Sequence, residues 1–144
     1  MHKCHSYLFI LGWLLFNSCA QKDSSQTTLA VQYPNEDAPL ALLMREVFLD
    51  LEEIKFSVEQ GENIKSYLKR HKEILVAHPT NPAVKTATFE MMGNAYLESL
   101  KRLEESPKSQ LSENYKVLIS SCLGCHQQYC PGPIKRIQLL NLGD

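Results

Sequence analysis

The chain has 144 residues, 44% of them apolar and 22% charged, with a formal charge of −1. That length admits one domain of ordinary size with its own core. The near balance of charge, with no basic stripe, argues against a nucleic-acid binder and selects no partner by sign.

Residues 1–18 have the form of a signal peptide: Lys3 supplies a positive charge, and the apolar run from Leu8 to Phe16 is too short for a bilayer span, which needs about 20 residues in a helix. Asn17-Ser18-Cys19 follows, and a small residue before a cysteine at the end of such a leader resembles a bacterial lipoprotein cleavage site. On that reading Cys19 is lipidated and anchors the protein to a membrane without spanning it. An ordinary secretory signal that happens to contain a cysteine is the other reading. The remainder of residues 19–37, with Gln21 to Thr28 polar and lacking a periodic apolar face, is expected to be a tether.

Residues 38–144 carry four amphipathic patterns and no strand alternation. Asp37-Ala38-Pro39 offers a cap and a first-turn proline, and Leu40, Leu43, Met44, Val47, Leu51, Ile54 and Val58 form the stripe that follows. Glu46, Asp50 and Glu53 are expected on the solvated face, where a docking patch for a basic partner is the sharper alternative. Gly61 ends this helix, and Asn63 is expected to cap a second, carrying Ile64, Leu68, His71, Leu75 and His78 up to Pro79. Asn81-Pro82 is expected to start a third, with Phe89, Met92, Tyr96, Leu100 and Leu103 inward, closed by Ser106-Pro107. The fourth, over 109–129, is ended by Pro131-Gly132-Pro133. Four helices with short links predict an all-α fold, an antiparallel four-helix bundle.

The fourth helix holds the chemistry. Cys122-Leu123-Gly124-Cys125-His126 is the arrangement that attaches haem covalently, the thiols forming thioethers and the adjacent imidazole reaching the iron as proximal ligand. Leu111, Tyr115, Leu118, Cys122, Cys125 and Tyr129 recur at steps of four and three, widened by Ile119 and His126, so the motif is expected to face the core.

With this motif near the end of a fourth helix and Tyr129 three positions after the histidine, the chain from about Pro34 to Cys130 resembles the class II cytochromes c, cytochrome c prime and its low-spin relatives. The resemblance implies one covalent haem c and a distal position served from the first helix. Met44 is thereby the candidate sixth ligand, with core filler as the competing role. Homodimerisation through the first two helices is a further implication. Cys130 stands where the family commonly carries arginine, and the chain continues past it.

Met91 and Met92 are adjacent and read as packing residues. His71 is read as a hydrogen-bonded core residue in preference to a second haem ligand, and His78 as a cap for carbonyls. Of the five cysteines, Cys4 leaves with the leader and Cys130 has no partner; burial beneath Ile134, Ile137 and Leu140 is expected for it. Lys135 and Arg136 either face the haem propionates or are merely solvated. No phosphate loop or nucleophilic set stands out, which favours an electron carrier over an enzyme. Three functions remain: electron transfer with redox partner proteins at the periplasmic side of a bacterial membrane or the cell surface; binding of a diatomic gas such as nitric oxide at a five-coordinate iron; and a zinc-stabilised lipoprotein using Cys122, Cys125, His126 and Cys130.

Overall fold

A computed structural model describes residues 37–143, and among them every regular element is helical. The expected leader, Cys19 and nearly all of the tether lie outside the described residues. No described helix is long and apolar enough to cross a membrane.

Helix α1 spans Pro39–Gln60 and opens with proline at its first position, where a missing N–H costs nothing. Ala38 is the N-cap residue and makes no side-chain cap bond. Asp37, expected to cap, pairs instead with Arg45 at 2.6 and 2.7 Å. The Leu40 N–H is satisfied from across the fold, donating to the His78 carbonyl at 3.0 Å. Gly61, at φ 64°, closes the helix in the left-handed conformation that glycine alone adopts freely. The buried face is Leu40, Leu43, Val47, Phe48, Leu51, Ile54 and Val58.

The second expected helix is much shorter than its apolar period suggests. Only α2, Leu68–His71, is α-helical, and one 3-10 turn, Lys72–Leu75, continues it. The start is set from outside: the Glu104 carboxylate accepts from the Tyr67 N–H at 2.7 Å, the Leu68 N–H at 3.0 Å and the Ser66 hydroxyl at 2.9 Å. A carboxylate placed on orphan amide donors does what a local cap would do, so the helix begins where Glu104 reaches, five residues after Asn63. The far end is closed by Lys85, whose ammonium donates to the carbonyls of Ile74 and Leu75 at 3.1 and 2.8 Å. His78 is exposed, and its backbone carbonyl, not its ring, does the capping.

Asp50 is buried, contrary to its expected place on the solvated face of α1. It flanks the apolar stripe and is satisfied by two donors adjacent in sequence: Arg70 donates to both its oxygens at 2.9 and 3.0 Å, and His71 Nε2 lies 3.0 Å from Oδ2. Because a carboxylate only accepts, Nε2 carries the ring proton, and Nδ1 accepts from the Tyr96 hydroxyl at 2.7 Å. His71 is fully buried and joins α1, α2 and the third long helix through its two nitrogens. Burial lowers its pKa, and the opposing pull of Asp50 is the smaller effect, so the ring is neutral near pH 7.

Asn81 caps only a 3-10 turn, Pro82–Val84, and α3 proper spans Ala87–Glu104, with Thr86 Oγ1 accepting from the Phe89 N–H at 3.2 Å. Phe89, Tyr96, Leu97, Leu100 and Leu103 are buried on it. Met92 is half-buried, as its place on the inward stripe predicts, whereas Met91 is exposed and does not act as the packing residue expected of it. Helix α4 spans Leu111–Tyr129 and packs along α3. After Pro131 a short helix α5, Ile134–Ile137, and a 3-10 turn bring the tail back onto α4 and α1. There Ile137 and Leu140 are buried, and the Tyr115 hydroxyl donates to the Leu140 carbonyl at 2.8 Å.

Glu104→Ala removes three hydrogen bonds to residues 66–68, and charged acceptors carry more than neutral ones. A loss of about 2 kcal/mol is expected, read as a lower denaturation midpoint with an unchanged slope. The depressed pKa of His71 means that the unfolded chain takes up a proton more readily than the folded one. This contribution to stability is complete above pH 6.5 and falls as pH drops through the lower folded value. Thermal melts should show that loss, and His71→Gln should flatten it.

Candidate functional site

One cavity of about 610 Å³ lies between α1 and the C-terminal half of α4. From α1 come Leu40, Met44, Val47 and Leu51, with Phe48 and Arg45 beside them. The loop 79–84 forms a second wall, held in place by the His78 carbonyl on α1 and by Lys85 on the 3-10 turn. Cys122, Cys125, His126 and Tyr129 face it from α4, and Arg136, Ile137 and Leu140 close it from the tail. The walls are mostly apolar with few polar groups, and the volume is within the 300–1,000 Å³ range of small-molecule and cofactor sites.

The motif faces this space because positions 122, 125 and 126 fall on one side of a 3.6-residue helix. All three side chains are half-buried. Burial, with Cys125 nearby, pushes the Cys122 thiol up to about 12, and burial raises that of Cys125 as well. Both are therefore protonated at neutral pH and behave as small apolar groups with weak donors, not as thiolates.

His126 is oriented by the backbone. Its Nδ1 lies 3.0 Å from the Cys130 carbonyl oxygen, which only accepts, so Nδ1 carries the proton and Nε2 keeps its lone pair. Cys130 precedes a proline and leaves the helix at φ −155°, ψ 78°, which turns its carbonyl back toward the ring. A histidine with one nitrogen held by a carbonyl and the other free is the arrangement of a metal-ligating imidazole. Tyr129 ties the end of α4 to α3: its hydroxyl lies 2.9 Å from Thr86 Oγ1, and its ring meets Phe89 edge-on at 5.6 Å.

The structure thus brings Cys122, Cys125, His126 and Met44 to one cavity, Met44 half-buried on the opposite wall. No protein family, curated protein or solved structure matches the chain. The geometry therefore carries the argument by itself. His71 does not line the cavity and is occupied at both nitrogens by Asp50 and Tyr96, which agrees with its expected role in the core. Cys130 corrects the expectation of burial. The turn at Pro131 leaves it exposed at the cavity edge, and Ile137 and Leu140 dock beyond it. Among the described residues no three His, Cys, Asp or Glu side chains converge as a metal-binding group.

Several wall residues were not singled out from the sequence. Phe48 is one turn beyond Met44, and its apolar character was the available signal. The loop 79–84 carried none, since Pro79 and Pro82 mark only where one helix stops and the next is expected to start.

The burial difference among the three thiols is testable on the haem-free protein. Iodoacetamide at pH 7.5 should modify Cys130 first, with Cys122 and Cys125 protected until denaturant is added; mass spectrometry of time points reads the order.

Proposed function

We propose that the chain is an exported, lipid-anchored monohaem c-type cytochrome of class II type, working as an electron carrier and not as an enzyme. The observation that carries this reading is the convergence of both thiols, the free Nε2 of His126 and Met44 on one apolar cavity. In this proposal α1, the foreshortened α2 with its 3-10 turn, α3 and α4 are the four members of a bundle, with haem attached on the last.

The residues fit the group. Cys122 and Cys125 would hold haem c by thioether bonds, His126 Nε2 would be the proximal ligand, and Met44 would serve the other axial position. Bound haem supplies one-electron chemistry, and a methionine axial ligand raises its potential. The chain's own part is to hold these ligands rigidly and keep water out. The Cys130 carbonyl fixes the ring of His126, Tyr129 pins the motif to α3, and the apolar wall from Leu40 to Leu51 lowers the local dielectric. Cys19 as the lipid anchor, a periplasmic or cell-surface location and redox partner proteins belong to the same proposal.

The test is the spectrum of the reduced protein after expression with a haem-attachment system. Cys122→Ala with Cys125→Ala should abolish covalent haem, seen as loss of the haem mass under denaturing conditions. Wild type should give a sharp low-spin spectrum indifferent to carbon monoxide, and Met44→Ala should convert it to a high-spin form that binds the gas. A wild-type spectrum that shifts with carbon monoxide would move the assignment to gas binding and remove Met44 as ligand.

A further inference from the structure

Among the few polar groups of this mostly apolar cavity are two guanidinium groups. Arg45 is committed elsewhere: it forms the two-bond pair with Asp37, whose carboxyl it holds below the ordinary range. Arg136 has no carboxylate within ion-pair distance among the described residues. Its guanidinium carbon sits 4.3 Å from the centroid of the Phe48 ring, at the level of the cavity wall. Stacking on an aromatic face restrains a guanidinium while leaving the N–H groups at its edge free to donate. Lys135, the next residue along, is exposed and does not line the cavity. A cation without an ion-pair partner, stacked on an aromatic ring beside an apolar cavity, is a recognition element for a ligand with an apolar body and an anionic end.

We propose that Arg136 is the carboxylate-binding residue of this cavity and that it fixes which edge of the ligand faces the tail. The assignment rests on the haem reading, under which the carboxylate is a haem propionate. Met44, Val47, Leu51 and Phe89 would form the apolar wall for the ring, and Arg136 would receive the carboxylate. The cation is supplied by the short helix that follows Pro133. Planar donors and a carboxylate match in the two-bond geometry that arginine provides and lysine does not. The other charged or titratable groups on the walls are Arg45, tied to Asp37; Cys122, Cys125, His126 and Tyr129 of α4; and Cys130 just after it.

The experiment compares the haem-loaded wild type with Arg136→Gln, Arg136→Lys and Lys135→Gln, measuring covalent haem by mass and the reduction potential across pH. A cation beside a propionate offsets the carboxylate's negative charge and favours the ferrous state. Arg136→Gln should retain its haem, shift the equilibrium about tenfold toward ferric, about 59 mV for one electron, and move the propionate titration to higher pH. Arg136→Lys should recover most of the potential, which shows that charge and not folding was lost. Lys135→Gln should match wild type. The assignment is overturned if haem is present throughout while Arg136→Gln leaves the potential and its pH profile unchanged, or if Lys135→Gln shifts them equally. Absence of covalent haem from wild type would instead bring down the cytochrome reading, and this assignment with it.

Discussion

A proline cannot continue a helix, and Pro131 makes that constraint the hinge of the site. It stops α4 directly after the Cys-x-x-Cys-His motif, forces Cys130 into an extended conformation and so frees a carbonyl for His126. The same reversal sends the chain back as α5, burying Ile137 and Leu140 and bringing Arg136 over Phe48. The histidine's orientation and the closed end of the cavity thus follow from one residue that does not itself line the cavity.

A second constraint acts through the core. A buried histidine needs a partner at each nitrogen, and the line Asp50–His71–Tyr96 supplies both from two different helices. With Arg70 also bonded to Asp50, the short α2 segment is tied to α1 by two successive side chains. It also fixes α1 against α3, and therefore the distance across which Met44 faces α4. Polar satisfaction takes over here from helical length.

The long helices were legible because their signals are local. The stripe on α1, Gly61 after it, and Pro107 and Pro131 on either side of α4 all act within a few residues, and the periodicity of α4 placed both thiols and the imidazole on one side. The second helix was overstated because its limits are set by Glu104 and Lys85, residues of other segments whose reach has no trace in the apolar period. Asp50 was misplaced for a related reason: its charge favours solvent, and its two partners come from 20 and 21 residues further along the chain. The start of α3 shifted because two caps compete, and Thr86 lies closer to the apolar run than Asn81. Met44 and the motif could be paired through a family resemblance, but Arg136 could be told from Lys135 only by seeing which of them stacks on Phe48.

The cavity draws its walls from the first described helix, from a middle loop and from the last turns of the chain. That has a consequence for the order of folding. Contacts so distant in sequence form late, because the loop between them must close first. During synthesis the apolar face of α1 has no cavity to line until residues near Leu140 have emerged, so the N-terminal helix waits with that face uncovered. Through the same interval Cys122 and Cys125 stand in water as ordinary thiols, open to chemistry that the closed fold withdraws. The fold closes over these thiols only when the segment carrying Ile137 and Leu140 docks.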